Sequence, residues 1–102
     1  MPIYFDSADI SPEEEQLWEL IRQKEGTVFT TSKGLPFTYS LKGNEMFVSR
    51  KDKSITRSTL NAAYRKATEL MRTEGAVSGP KKLGTFGSSY IYPIFRELGI
   101  IS

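Results

Sequence analysis

Neither cysteine nor histidine occurs among the 102 residues of this chain. Without thiolates there is no disulfide framework and no cysteine-ligated metal. Without imidazole, triads of the usual kind, histidine bases and most zinc or iron sites are excluded together. No apolar run approaches the roughly 18 residues of a membrane-spanning helix, and the N-terminus lacks the basic-then-apolar pattern of a secretory signal. Internal repeats and low-complexity tracts are missing too. These absences point to a cytoplasmic protein with no cofactor and no membrane attachment.

What is present fits one folded unit. Apolar residues make up 38% and charged residues 25%, a balance suited to burying a core and unlike that of a disordered chain. We expect a single domain over residues 1–102, with residues 1–10 as an N-terminal arm. Ile3, Tyr4, Phe5 and Ile10 make that arm too apolar for a free tail. The net charge of +2 conceals a division: residues 1–25 hold seven acids and two bases, a net of −5, and residues 26–102 hold twelve bases and five acids, a net of +7. A basic segment of this kind points to a polyanionic partner. The competing explanation is that an acidic helix offsets the basic remainder inside one fold.

Ser11, Pro12 and Glu14 spell a helix start, with an N-cap, a proline at the first helical position and a capping-box glutamate. Leu17, Trp18, Leu20 and Ile21 form its apolar stripe, and Gly26 stops it. Residues 27–31 are rich in β-formers. Residues 37–50 read as a hairpin about Gly43-Asn44, with Lys42 facing Glu45, Leu41 facing Met46, Tyr39 facing Val48 and Phe37 facing Arg50. That register puts Phe37, Tyr39, Leu41, Met46 and Val48 on one face, and Thr38, Ser40, Lys42, Glu45, Phe47 and Ser49 on the other. A helix over 54–74 follows, capped by Thr56 and stapled by Ile55 and Leu60. A loop over 75–84 and a short helix over 90–98 complete the chain, with Pro93 placed in the first helical turn. The fold class is α+β: a small three-stranded antiparallel sheet, elements in the order α-β-β-β-α-α, helices packed mainly on one face.

The helix over 54–74 carries the clearest functional signal. Leu60, Ala63, Tyr64, Ala67, Leu70 and Met71 fall within an arc of about 120°, and Arg57, Asn61, Arg65, Thr68 and Arg72 occupy an adjoining arc of about 80° without a carboxylate. Such a helix can dock on a core with one face and meet nucleic acid with the next. Arg50, Lys51, Lys53 and Ser58 would hold phosphates near its start. Arg57, Asn61, Arg65 and Arg72 would lie along a groove, Asn61 and Arg65 near base edges. A second phosphate anchor is expected at 79–89, from Lys81, Lys82 and Ser88 with glycines at 84 and 87. Phe47, an aromatic on the polar sheet face, is either a stacking platform or a residue covered by the arm or the first strand.

No carboxylate, lysine, tyrosine or hydroxyl has a spacing that implies catalysis. The expectation is therefore a regulatory or accessory module that binds DNA, or secondarily RNA, without catalysis. The alternative is an interaction module, such as a small adaptor or inhibitor, that offers its basic face to an acidic protein. Homodimerisation through the arm or an exposed Ile100-Ile101 end is compatible with both.

Overall fold

Proline and three successive glutamates open α1, which runs Pro12–Gln23 in the computed structural model; residues 12–50 and 54–101 are described. Proline needs no donor there, and the carboxylates meet the positive end of the helix dipole. The expected cap, Ser11, and the arm over 1–10 lie outside the described residues. Leu17, Trp18 and Ile21 are buried as expected, but Leu20 is 40% exposed. At 100° per residue Leu20 falls about 60° outside the arc from Leu17 to Trp18. The last turn is fastened to the sheet by the Tyr39 hydroxyl, which donates to the Ile21 carbonyl.

Among the described residues the β structure is five short strands in two antiparallel sheets. β1 (Phe29–Thr30) pairs with β2 (Pro36–Phe37), and β3 (Tyr39–Lys42), β4 (Glu45–Val48) and β5 (Ile55–Thr56) form a second sheet in that order. The hairpin register is the one the alternation requires, from Lys42↔Glu45 to Tyr39↔Val48. Beyond that point it departs from expectation. Phe37 faces Phe29 and not Arg50, because the chain bends at Thr38, whose carbonyl accepts from Ser49 N–H. The rings of Phe37 and Tyr39 both stack on Phe29, with centroids 5.8 and 5.7 Å away. β1 is thus shorter than the five residues expected, and β5 is an addition. Ile55 and Thr56 read as staple and cap, and they also pair with Met46 and Glu45.

Helix α2 (Arg57–Glu74) starts and stops as its sequence dictates. Thr56 Oγ1 accepts from Thr59 N–H at 3.2 Å, and Gly75 at φ 79° donates back to the Leu70 and Met71 carbonyls. The loop that follows contains a short 3-10 helix, Pro80–Leu83, whose Leu83 is buried. Helix α3 spans Ser88–Glu97, two residues earlier than expected, so Pro93 lies past the first turn. The helix therefore lacks the bond that residue 93 would have donated to the Ser89 carbonyl. Ile100 and Ile101 are not an exposed end: Ile101 is 3% exposed and Ile100 packs against the core.

One core holds these parts together. Ile21, Met46, Ile55, Leu60, Ile91, Ile94 and Phe95 are fully buried at its centre. Its tightest approach is at Gly87 (φ 75°), where a Cβ would stand 2.5 Å from Ile55 Cδ1 and 2.8 Å from Cγ1. Only glycine meets both the left-handed backbone and the missing space. Gly87→Ala should therefore cost about 2–4 kcal/mol in urea unfolding, with Ile55→Val in the same chain restoring part of it. A neutral Gly87→Ala would show that α3 does not seat on Ile55. Burial, and secondarily the Glu25 carboxylate, push the Tyr39 phenol well above its ordinary value. The native state thus resists an ionisation open to the unfolded chain, so this contribution is present below about pH 10 and is lost as pH rises further. Circular dichroism should show alkaline unfolding setting in near that pH, with a shallower dependence in Tyr39→Phe.

Candidate nucleic-acid interface

Two of the three arginines in the basic stripe of α2 are paired with carboxylates of α1. Arg65 Nη1 donates to Glu14 Oε2, and Arg57 Nη2 donates to Glu15 Oε2 at 3.0 Å. The Arg57 guanidinium also lies over the Trp18 ring, 5.0 Å from its centroid, so its side chain is only 15% exposed. Asn61 is 8% exposed and cannot reach a base edge. The groove-facing roles expected of Arg57 and Asn61 are thus corrected, while Arg65 stays 63% exposed with its charge paired to Glu14. The sequence showed no carboxylate within the stripe because the carboxylates come from α1, more than forty residues away. Glu14 is the buried partner of Arg65; its expected cap at Ser11 lies outside the described residues. The same acidic turn acts on Tyr64, whose phenol is raised by burial first and then by Glu13 and Glu14. Arg72 in the last turn of α2 is exposed and in no ion pair among the described residues, and Ser58 is exposed at its first turn.

A second group of expected residues lies close together in the chain, ahead of and at the start of α3. Lys81 and Lys82 are exposed on the 3-10 helix, directly ahead of the start of α3 at Ser88. The N-cap of α3 is Gly87, with no side-chain cap; the amides of Ser88, Tyr90 and Ile91 donate instead to the carbonyls of Thr85 and Gly87. A depression of about 230 Å³ opens beside this turn, lined by Thr31, Ser32, Lys33 and Leu35 on one side and Pro80, Ser89 and Tyr90 on the other. Among the described residues no carboxylate lines it. Arg50 approaches from the sheet, its Nε donating to the carbonyl of Pro36, the neighbour of Leu35. Lys33 carries no functional signal in the sequence: a lone lysine between Ser32 and Gly34 gives no sign of what it will face. Lys51 and Lys53 lie outside the described residues.

Of the two tyrosines near the start of α3, Tyr92 is buried and bonds to the Val77 carbonyl, and Tyr90 packs edge-on against Phe37. Phe47 is 43% exposed on the outer sheet face, and β1 does not cover it. Among the described residues no group of three acids is placed to hold a metal ion, and no helix is long and apolar enough to cross a membrane. No protein-family model, curated protein or solved structure matches this chain.

The two sets of arginines should respond differently to truncation. Arg57→Ala removes the cover of Trp18 and the partner of Glu15, and should cost about 1–3 kcal/mol. Arg72→Ala should leave thermal unfolding unchanged within about 0.5 kcal/mol. Equal, negligible effects of both would return Arg57 to an open surface.

Proposed function

We propose that this chain is a non-catalytic nucleic-acid-binding module, for DNA in the first instance, acting as a regulatory or accessory component. Its phosphate contacts are Lys33, Arg50, Lys81 and Lys82, with Ser88 and Ser89 at the start of α3. The observation that carries the reading is the depression between the 31–35 loop and α3, whose described lining holds Lys33, hydroxyls and no carboxylate and includes Pro80, the residue before the two exposed lysines of the 3-10 helix. Cations and hydroxyls are groups that hold phosphate oxygens. Phosphate contacts fix position and carry no sequence information, so discrimination by this surface alone is weak. The side chains best suited to reading base edges, Asn61 and Arg65, are engaged elsewhere.

A second reading rests on Leu35, which is 44% exposed in the wall of the same depression. An acidic protein surface with an apolar anchor would use the same lysines and bury Leu35 as well. Salt titration with a DNA duplex separates the two. Nucleic-acid binding should weaken with a slope of about 0.9 per neutralised phosphate, and Lys81→Ala with Lys82→Ala should reduce that slope by about two. An unchanged slope removes the lysine corner from the interface. No binding at low ionic strength removes nucleic acid altogether and leaves the acidic protein.

A further inference from the structure

Arg57 and Arg65 of α2 each pair with a glutamate of α1 and Asn61 is buried, so the side chains best suited to a major groove are engaged, although Arg65 and Arg72 stay exposed. An unpaired base needs no such side chains and can be met by an exposed aromatic ring. We propose that the outer face of the β3–β4 hairpin, centred on Phe47, stacks an unpaired base of a single strand whose phosphates sit at that corner. This rests on the nucleic-acid reading above and narrows it to single-stranded partners.

Phe47 stands opposite Ser40 in the hairpin register, at the wall of an open depression of about 560 Å³ shared with Thr38 and Ser49. Its setting is hydroxyl-rich, whereas a face built for a protein core partner would surround an aromatic with aliphatic side chains. A π-face ringed by small hydroxyl groups suits a base, which needs stacking on its plane and hydrogen bonds at its edge. One carboxylate, Glu25, lines the same depression and another, Glu45, lies two residues before Phe47; each is engaged by this chain. Glu25 Oε2 accepts from Leu41 N–H at 2.7 Å, and Glu45 accepts from the Ser54 hydroxyl.

Arg50 links the two regions. It follows Ser49 of the Phe47 depression, and its side chain bonds to Pro36, next to Leu35 of the lysine corner. A strand leaving the corner thus meets a cation on its way to Phe47. Lys42, across from Glu45 at the hairpin end, supplies a second cation at the far margin.

The test uses the whole chain with a labelled oligothymidylate of about 12 nucleotides, a duplex of equal length and inorganic polyphosphate. The single strand should bind tighter than the duplex, and Phe47→Ala should weaken it about tenfold while leaving polyphosphate binding unchanged. Phe47→Trp should keep the affinity and show fluorescence quenched by oligothymidylate but not by polyphosphate. Full single-strand affinity in Phe47→Ala, or a Phe47→Trp signal indifferent to bases, overturns the stacking platform. That result leaves the nucleic-acid reading standing if Lys81→Ala with Lys82→Ala still weakens binding. Loss of binding in Phe47→Ala with none in the lysine variant does the reverse, keeping the platform and discarding the corner.

Discussion

Glu14 and Glu15 reach from α1 to Arg65 and Arg57 of α2, and the surfaces the molecule has left to offer depend on that contact. The acid-rich first turn of α1 is the one place where several carboxylates stand together in sequence, and it is laid against the longest basic stripe. Geometry sharpens the pairing. Glu14 is nearly fully buried, so its charge has little water to rely on and needs Arg65 close by. Arg57 is held by an ion pair and by the Trp18 ring at once, which fixes the spacing of the two helices near their N-terminal ends. Exposed ion pairs contribute little, so the anchoring comes from the covered members of each pair, Glu14 and Arg57.

What remains for a partner is a different set of cations, drawn from loops. Lys33 follows a two-residue strand, Lys81 and Lys82 ride a single 3-10 turn, and Arg50 ends the hairpin. None belongs to a long regular element, yet each is positioned by one: Leu83 is buried beneath the 3-10 turn, and Gly87 seats α3 on Ile55. Loops held by a packed scaffold are common carriers of binding residues, since side chains can converge there from segments distant in sequence.

Local chemistry made much of the fold legible in the sequence. Thr56, Ile55 and Leu60 define the start of α2 by capping and stapling, Gly75 defines its end, and strict alternation fixes the hairpin register with no long-range information. The failures share one cause. Leu20, Asn61, Arg57 and Arg65 were each placed by periodicity on their own helix, but burial is decided by what lies opposite, here α1 against α2. Ile55 and Thr56 were read once and serve twice, as helix entry and as β5. Pro93 was assigned to a first turn because the helix was started at Tyr90, where the residues ahead of it, Gly87-Ser88-Ser89, look like loop. The proposed site follows the same pattern: Lys81, Lys82 and Ser88 are close in sequence, whereas Lys33 comes to line one depression with Pro80 and Ser89 only through tertiary folding.

The contact between Gly87 and Ile55 constrains how such a chain can diverge. Position 87 has room for no side-chain atom while position 55 carries the full isoleucine, and its backbone sits in a region other residues enter reluctantly. The two sites are thus linked in their accessible substitutions although more than thirty residues separate them. A descendant that gained a methyl group at 87 would first have to trim residue 55, and that trimming would loosen both the third strand of the sheet and the entry to α2. Drift at this pair is therefore blocked in one order and open only in the other.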